Sequence, residues 1–277
     1  MLDFREKYGP WAVVTGASRG IGKHFALALA ERGLNTVLVA RNRELLEQTA
    51  TEISVSTGAQ TRVVVADLSQ PSDAIQTIHS KTSDLDVGLC VANAGMTQFC
   101  QLHTAQERDL LEVIDVNIAS TVLLLNYFSK RLIARGQGGG LIPVSSQGIY
   151  IMLPNEANYT ASKAYVAKLG EIIHFELKRF GVDVTTLLPG LTDTDMITGH
   201  EMGEDWEWDF NKTPFKKMSP RSAVEEALNG LGKKVSISPG AGNRIGLALM
   251  NIIPQSWRFK LYEKIFGKAV NPKYDWR

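Results

Sequence analysis

The sequence predicts an α/β protein: a single-domain Rossmann fold with a doubly wound, seven-stranded parallel sheet and helices on both faces. Three observations predict it. Short β-branched runs alternate with longer stretches of helical period. Several of those runs are apolar at successive positions, as strands covered on both faces must be. The first run passes directly into a glycine-rich turn and a helix.

Strands are expected at Trp11–Thr15, Thr36–Ala40, Arg62–Ala66, Gly88–Ala92, Leu141–Ser145, Val182–Leu187 and Val235–Ser238. Helices are expected between them at Ile21–Arg32, Arg43–Thr57, Asp73–Lys81, Gln106–Arg135, Tyr159–Phe180 and Ala223–Lys233. Asn42 suits the N-cap of the second helix, and Gly33 and Gly181 stand where helices should stop. Such alternation implies right-handed βαβ units. No internal repeat or linker interrupts it, and Gly136–Gly140 is long enough only for a turn. The whole chain, 1–277, is therefore assigned to one domain. A lid is expected at about 194–220 and an amphipathic tail at about 243–277.

Composition narrows the class. The 277 residues carry 30 Lys+Arg against 29 Asp+Glu, a formal charge of +1, with 44% apolar and 21% charged residues. These proportions suit a globular protein and exclude collagen, coiled coil and low-complexity disorder. A balanced charge gives no electrostatic warrant for nucleic-acid binding. Cys90 and Cys100 form no C-x-x-C pair, so a reduced, cytoplasmic protein is expected. The N-terminus lacks a signal peptide's apolar region, and no apolar run approaches the ~20 residues that span a bilayer. A soluble chain with no transmembrane segment is the expectation.

The first strand runs into Thr15-Gly16-Ala17-Ser18-Arg19-Gly20-Ile21-Gly22. A strand, glycine turn and helix in that order bring backbone N–H groups and a helix N-terminus up to a pyrophosphate. Glycine is needed because a Cβ would block the turn or the phosphates. The second strand ends Val39-Ala40-Arg41-Asn42, without the acid that would bind a ribose 2′-hydroxyl. Arg41 and Arg19 instead offer guanidinium groups to a 2′-phosphate, so the cofactor expected is NADP(H). Further along, Tyr159 and Lys163 are spaced to share one face of a helix, one turn apart. A nearby ammonium favours a phenolate, the tuning that a tyrosine acid/base needs near neutrality.

The turn reads T-G-x-x-x-G-x-G. Asp67-Leu68, Asn93-Ala94-Gly95, Asn117, Ser145-Ser146, Tyr159-Thr160-Ala161-Ser162-Lys163 and Pro189-Gly190-Leu191-Thr192-Asp193-Thr194 follow in order. Over nearly its whole length the chain resembles the short-chain dehydrogenase/reductase family, in its tyrosine/lysine-dependent short branch. The resemblance implies an NADP(H) site built from Gly16, Ser18, Arg19, Gly20, Ile21, Gly22 and Arg41. Asp67 and Leu68 would flank the adenine, and Asn93, Ala94 and Gly95 would support the cofactor from the fourth strand. Thr192 and Thr194 would hold the carboxamide, with Tyr159, Lys163, Pro189 and Gly190 also at the cofactor. Position 192, usually Val or Ile in the family, is Thr here, which alters the packing under the ring.

The resemblance also implies the catalytic set Asn117, Ser146, Tyr159 and Lys163. Tyr159 would exchange the proton with the substrate oxygen, and Lys163 would bind the nicotinamide ribose and lower the tyrosine pKa. Asn117 would hold a relay water, and a serine would polarise the substrate oxygen. The family spacing, thirteen residues before the tyrosine, falls on Ser146, and Pro154 fits the same register. The usual Ser-x-x-Gly is shorter by one in Ser146-Gln147-Gly148, and Ser145 stays open as the alternative.

Other features read as follows. His24, His79, His103, His174 and His200 show no ligand spacing, so no metal is expected. Asp193 and Asp195 read as helix caps, and Cys90 as a buried strand residue. Trp206, Trp208, Phe210 and Phe215 either contact a bulky apolar ketone or alcohol, joined by Ile149, Met152 and Leu153, or simply pack the lid. In the tail, Trp257, Leu261 and Ile265 form an apolar row beside Lys260, Lys264 and Lys268. That tail covers the domain, a partner subunit or a membrane surface. With Tyr8–Val14 it resembles the family branch of 17β-hydroxysteroid dehydrogenases and 3-oxoacyl reductases.

The leading expectation is an NADP(H)-dependent carbonyl reductase/alcohol dehydrogenase. A 3-oxoacyl-thioester reductase is the alternative, and a non-catalytic NADP(H)-binding regulator is the alternative of another class. The resemblance further implies a homodimer or homotetramer packed through Gln106–Arg135 and Tyr159–Phe180.

Overall fold

A computed structural model describes residues 4–151, 155–194, 217–254, 257–258 and 260–262. The expectations placed on Met152, Leu153, Pro154, Asp195, His200, the lid aromatics Trp206, Trp208, Phe210 and Phe215, and Lys264, Ile265 and Lys268 lie outside those residues.

In chain order the elements are α1 (Phe4–Tyr8), β1 (Trp11–Thr15), α2 (Gly20–Glu31), β2 (Asn35–Ala40), α3 (Arg43–Thr57), β3 (Thr61–Val65), α4 (Pro71–Thr82) and β4 (Val87–Ala92). Next come α5 (Glu107–Ile114), α6 (Ser120–Arg135), β5 (Gly139–Pro143), α7 (Ala157–Lys178), β6 (Val182–Val184), β7 (Thr186–Leu187), α8 (Pro220–Gly230), β8 (Ser236–Ile237) and α9 (Ala241–Ile252). Six strands form a parallel sheet in the order β3-β2-β1-β4-β5-β6. The order reverses between β1 and β4, and the crevice beyond their C-terminal ends is where such sheets bind ligands.

The continuous apolar strands are explained by two cores. Val14, Leu38, Val91 and Ile142 pack on one face with Phe25, Leu29, Leu46 and Val224 from α2, α3 and α8. Their neighbours Val13, Val37, Cys90 and Leu141 pack on the other with Ile78, Leu124, Phe128 and Leu132 from α4 and α6. Side chains alternate along a strand, so both faces must be apolar when both are covered. The helix signals act as expected: Asn42 Oδ1 accepts from Leu45 N–H at 3.0 Å, and Gly33 and Gly181 take left-handed φ of 82° and 70°.

Four differences from the sequence reading stand out. Among the described residues the sheet has six strands in register rather than seven. The run Val182–Leu187 breaks at Thr185, whose N–H turns to Leu141 O at 3.1 Å and whose hydroxyl turns to Lys234 O at 2.7 Å. The remainder, β7, pairs in parallel with β8, and a bridge between Val144 and Leu187 joins that pair to the sheet's end. The helix expected over Gln106–Arg135 is interrupted by a wider, π-type turn at Asp115–Ala119, which carries Asn117.

That same stretch, Glu107–Arg135, has 29 residues and a most apolar window of mean hydropathy 1.4, long and apolar enough by composition to cross a bilayer. Part of its apolar load lies in the core, where Val113, Leu124, Leu125, Phe128 and Leu132 are buried, while Leu111 and Leu123 are exposed. Finally, α1 was not expected. Tyr8 is buried and its hydroxyl donates to Asp183 Oδ2 at 2.5 Å, while Lys7 pairs with the same oxygen. In the tail, Tyr262 rather than Trp257 is buried: its hydroxyl donates to Tyr150 O at 3.3 Å, and Trp257 is 69% exposed.

Candidate active site

The crevice is built first by β1. Thr15 Oγ1 accepts from Asn93 N–H at 3.0 Å and Ala94 N–H at 3.1 Å, while Asn93 Nδ2 donates to Thr15 O at 2.9 Å. The ends of β1 and β4 are thereby stitched together. Between Thr15 and α2 the chain turns through Gly16, with φ 68°. A Cβ on Gly22 would stand 2.1 Å from Gly16 O and 2.5 Å from Asn93 Nδ2, so only glycine closes this turn. Helix α2 then starts with no acid in its first turn and no side-chain cap, although Arg19 is its N-cap residue. Free N–H groups at the positive end of a helix, over a turn with no Cβ in the way, fit a diphosphate.

Around that turn lie the other expected cofactor residues. Ser18, Gly20 and Ile21 are half-buried, and Thr194 Cγ2 would lie 3.2 Å from a Cβ on Gly20, so the segment after Pro189 reaches the glycine turn. Ala17 N–H donates to Val39 O at 3.2 Å, which sets Arg19 and Arg41 on the same edge of the sheet. Arg41 is exposed, with Nη1 3.7 Å from Glu112 Oε1. Asp67 is exposed and accepts from Ser69 N–H at 3.1 Å, while Leu68 is buried in the core. Thr192 is buried, and its hydroxyl donates to Gly190 O at 2.9 Å, so the substitution at this position leaves no polar atom unpaired. Pro189 O accepts from Gln147 N–H at 2.8 Å.

The residues expected to form the catalytic set are brought together by α7 against β5. Tyr159 and Lys163 share a face, with Lys163 Nζ 6.0 Å from the phenol ring centroid. The ammonium donates to Val144 O at 3.1 Å. A Cβ on Gly95 would meet Lys163 Nζ at 2.7 Å and Asn117 Oδ1 at 3.2 Å, so both polar ends stand over this glycine. Asn117 is fully buried: it accepts from Met96 N–H at 2.8 Å and donates to Met96 O and Ser162 Oγ, each at 2.9 Å. Its side chain thus fixes the loop after β4 and the start of α7. Of the two serines, Ser145 donates to Lys163 O at 2.6 Å and is buried beneath the helix. Ser146 accepts from Gly148 N–H at 3.0 Å and lies near enough to the Tyr159 phenol for its hydroxyl to favour the phenolate.

Burial dominates the electrostatics. It raises the Tyr159 pKa above the ordinary tyrosine value; the charge of Glu156 adds to this and the bond from Ser146 opposes it. Lys163, expected to lower the phenol, is not among those causes; burial pushes its own pKa down to about 8. Glu156 is pushed up to about 8 by burial, opposed by Thr97. Buried Cys90 has its thiol raised for the same reason.

Sequence reasoning missed Thr15, Ser162 and Glu156. The first two sit inside quoted motifs and were legible as hydroxyls without a role; Glu156 carried no signal. His24 and His174 each bond a main-chain carbonyl, Gly20 O and Val184 O. Asp193 is exposed, 3.7 Å from Lys217 Nζ.

Comparison with known proteins agrees with this geometry. The short chain dehydrogenase family model matches residues 10–205. 7beta-hydroxysteroid dehydrogenase of Collinsella aerofaciens is 32% identical over 88% of this chain and 90% of its own. Inactive hydroxysteroid dehydrogenase-like protein 1 of Homo sapiens is 35% identical over 83% of this chain and 68% of its own. A solved structure of 7beta-hydroxysteroid dehydrogenase superposes with a TM-score of 0.85 at 29% identity, covering 94% of this chain and 99% of that one. An alcohol dehydrogenase of Thermococcus sibiricus complexed with 5-hydroxy-NADP superposes at 0.67 and 26% identity, covering 82% and 94%. The chain belongs to the short chain dehydrogenase family, oxidoreductases that work with a nicotinamide cofactor.

Proposed function

We propose that the chain is an NADP(H)-dependent oxidoreductase interconverting a ketone and a secondary alcohol, with a bulky apolar substrate such as a steroid or aromatic ketone. One observation carries this reading. Tyr159 is half-buried near Ser146, on the helix face of Lys163, and Lys163 stands over Gly95 behind the glycine turn. The bound cofactor supplies or takes up the hydride. Tyr159 gives its proton to the carbonyl oxygen in reduction and takes the hydroxyl proton in oxidation. Its raised pKa keeps it in the acid form that reduction needs. Ser146 donates to the same oxygen where negative charge develops. With the cofactor bound, Lys163 would hold the ribose, and Thr192 and Thr194 would hold the carboxamide.

NADP(H) rather than NAD(H) is supported by Arg41 and Arg19 at an edge with no acid at the end of β2, and by the NADP-type ligand of the Thermococcus neighbour. The steroid-like substrate is supported by the names of the relatives. A homodimer or homotetramer is supported by Tyr165, Ile172 and Phe175 on α7 and Leu111 and Leu123 on α5 and α6, all large, apolar and exposed. The human relative named inactive favours a second reading, nucleotide binding without turnover. Tyr159, Ser146, Asn117 and Lys163 together weigh against it.

NADPH consumption measured across steroid ketones, acyl thioesters and aromatic ketones, with Tyr159→Phe as control, tests the proposal. Wild type should consume NADPH with a ketone, and Tyr159→Phe should be slower by about 10²–10⁴-fold. Equal rates for the two would overturn the mechanism. Acceptance of thioesters alone would favour a 3-oxoacyl reductase, and a severalfold preference for NADH would overturn the arginine reading.

A further inference from the structure

Ser146 stands on extended backbone just past β5, with φ −157° and ψ 149°, and a single 3₁₀ turn, Gln147–Tyr150, follows it. A turn this short closes few bonds of its own. Ile151 N–H donates to Gly148 O at 3.0 Å, and Ile149 N–H reaches Ser146 O only at 3.5 Å. What places Ser146 therefore has to come from outside the turn.

The anchor is Gln147, which is 5% exposed. Its N–H donates to Pro189 O at 2.8 Å, and its side-chain Nε2 donates to Pro239 O at 3.3 Å. Main chain and side chain thus hold two different segments, the Pro189–Gly190 turn and the turn between β8 and α9. The second of these is itself fixed by α8. Gly240 N–H donates to Glu226 Oε1 at 2.9 Å, and Arg244 Nη1 donates to Glu226 Oε2 at 2.7 Å and to Ser238 O at 3.1 Å. Asn243 Nδ2 donates to the same Pro239 carbonyl at 3.4 Å, which its two lone pairs allow.

Gly190 completes the arrangement. Its φ is not left-handed, so the backbone alone does not demand glycine here. The two amides do: a Cβ on Gly190 would stand 2.5 Å from Gln147 Oε1 and 2.9 Å from Asn243 Nδ2. Gly190 O in turn accepts from Thr192 Oγ1 at 2.9 Å. Contacts therefore run from Ser146 through Gln147 and Gly190 to Thr192. They join the hydroxyl proposed at the substrate oxygen to the one proposed at the carboxamide.

We infer that Gln147 is a positioning residue, whose buried amide sets the place of Ser146 relative to Thr192 and so that of the substrate oxygen relative to the nicotinamide. Hydride transfer requires close alignment of the two, so the amide acts on kcat rather than on binding. This rests on the ketone/alcohol reading above.

Gln147→Leu and Gln147→Met keep most of the bulk and remove the amide. Fluorescence titration with NADPH counts the folded sites, and kcat is then expressed per site. In both variants kcat should fall by about tenfold or more, with the KM for the ketone and the Kd for NADPH little changed. In a Ser146→Ala background the same substitutions should lower the residual kcat by less than about threefold, because the group they place is already gone. Wild-type kcat in both variants, with only Tm lowered, would make Gln147 structural and overturn the proposal. An equal loss with and without Ser146 would do the same, since the amide would not then act through that serine. Failure of both variants to fold would also overturn it, by making the amide a folding requirement. A wild type that reduces no ketone would overturn the reductase reading along with it.

Discussion

The side-chain amide of Asn117 donates a 2.9 Å hydrogen bond to the hydroxyl of Ser162, joining two helices across 45 residues of sequence. Ser162 in turn donates to Tyr159 O at 2.7 Å. The π-type turn of Asp115–Ala119 is therefore tied directly to the turn of helix that carries the phenol. Ser162→Ala would leave one buried amide N–H unpaired, at about 1–3 kcal/mol of stability. Because it loosens the placement of Tyr159, kcat should also fall roughly tenfold or more with KM little changed. Thermal unfolding and steady-state kinetics check the pair; a lower Tm with wild-type kcat would make Ser162 structural only.

Gly95 lies beneath Lys163 Nζ and Asn117 Oδ1. In Gly95→Ala the new Cβ would displace the end of a flexible lysine, which costs little stability. The ammonium would nevertheless move from its place. Activity should fall by about tenfold or more while Tm stays close to wild type. Unaltered kcat would show that the position of Lys163 is not critical.

Arg41 is exposed at the end of β2. Removing a charge-assisted phosphate contact costs about 1.5–3 kcal/mol, so Arg41→Ala should raise the KM for NADPH roughly ten- to a hundredfold. The KM for NADH should hardly move. Equal changes for both cofactors would refute the 2′-phosphate assignment.

Glu156 raises Tyr159 through its negative charge, and Glu156→Gln removes that charge. The phenol then ionises more readily. Alcohol oxidation, which needs the phenolate, should gain its base earlier, moving the rising limb of kcat/KM to lower pH. Stability should respond too. Glu156 is raised from 4.5 to about 8, so its contribution is full below 4.5 and is lost as pH rises through about 8. Glu156→Gln should therefore lose less Tm than wild type between pH 5 and 8. An unmoved limb and parallel Tm curves would show that Glu156 does not titrate beside the phenol.

Phe175 is 69% exposed on α7, next to exposed Ile172. Phe175→Glu would place a charge within the apolar face proposed as the subunit contact. Size-exclusion chromatography with light scattering should show smaller particles than wild type at the same concentration. An unchanged mass would move the contact elsewhere.

Much of this was legible in the chain. Strand periodicity and the glycine turn determined a doubly wound sheet with a dinucleotide crevice, because both depend on residues a few positions apart. The four-residue spacing of Tyr159 and Lys163 determined that they share a helix face, for the same reason. Only the tertiary structure separates the surroundings of Ser145 from those of Ser146. On extended chain the two point in opposite directions, and the placement of α7 sends Ser145 to Lys163 O and Ser146 to the phenol. It also decided that Thr185 ends β6, because its partners Leu141 and Lys234 come from distant segments. Glu156 is the clearest case. In sequence it is an ordinary acid at a helix start, and only the loop folded over it makes it a buried carboxyl near Tyr159. Burial and pairing are set by residues far away along the chain, and local periodicity does not encode them.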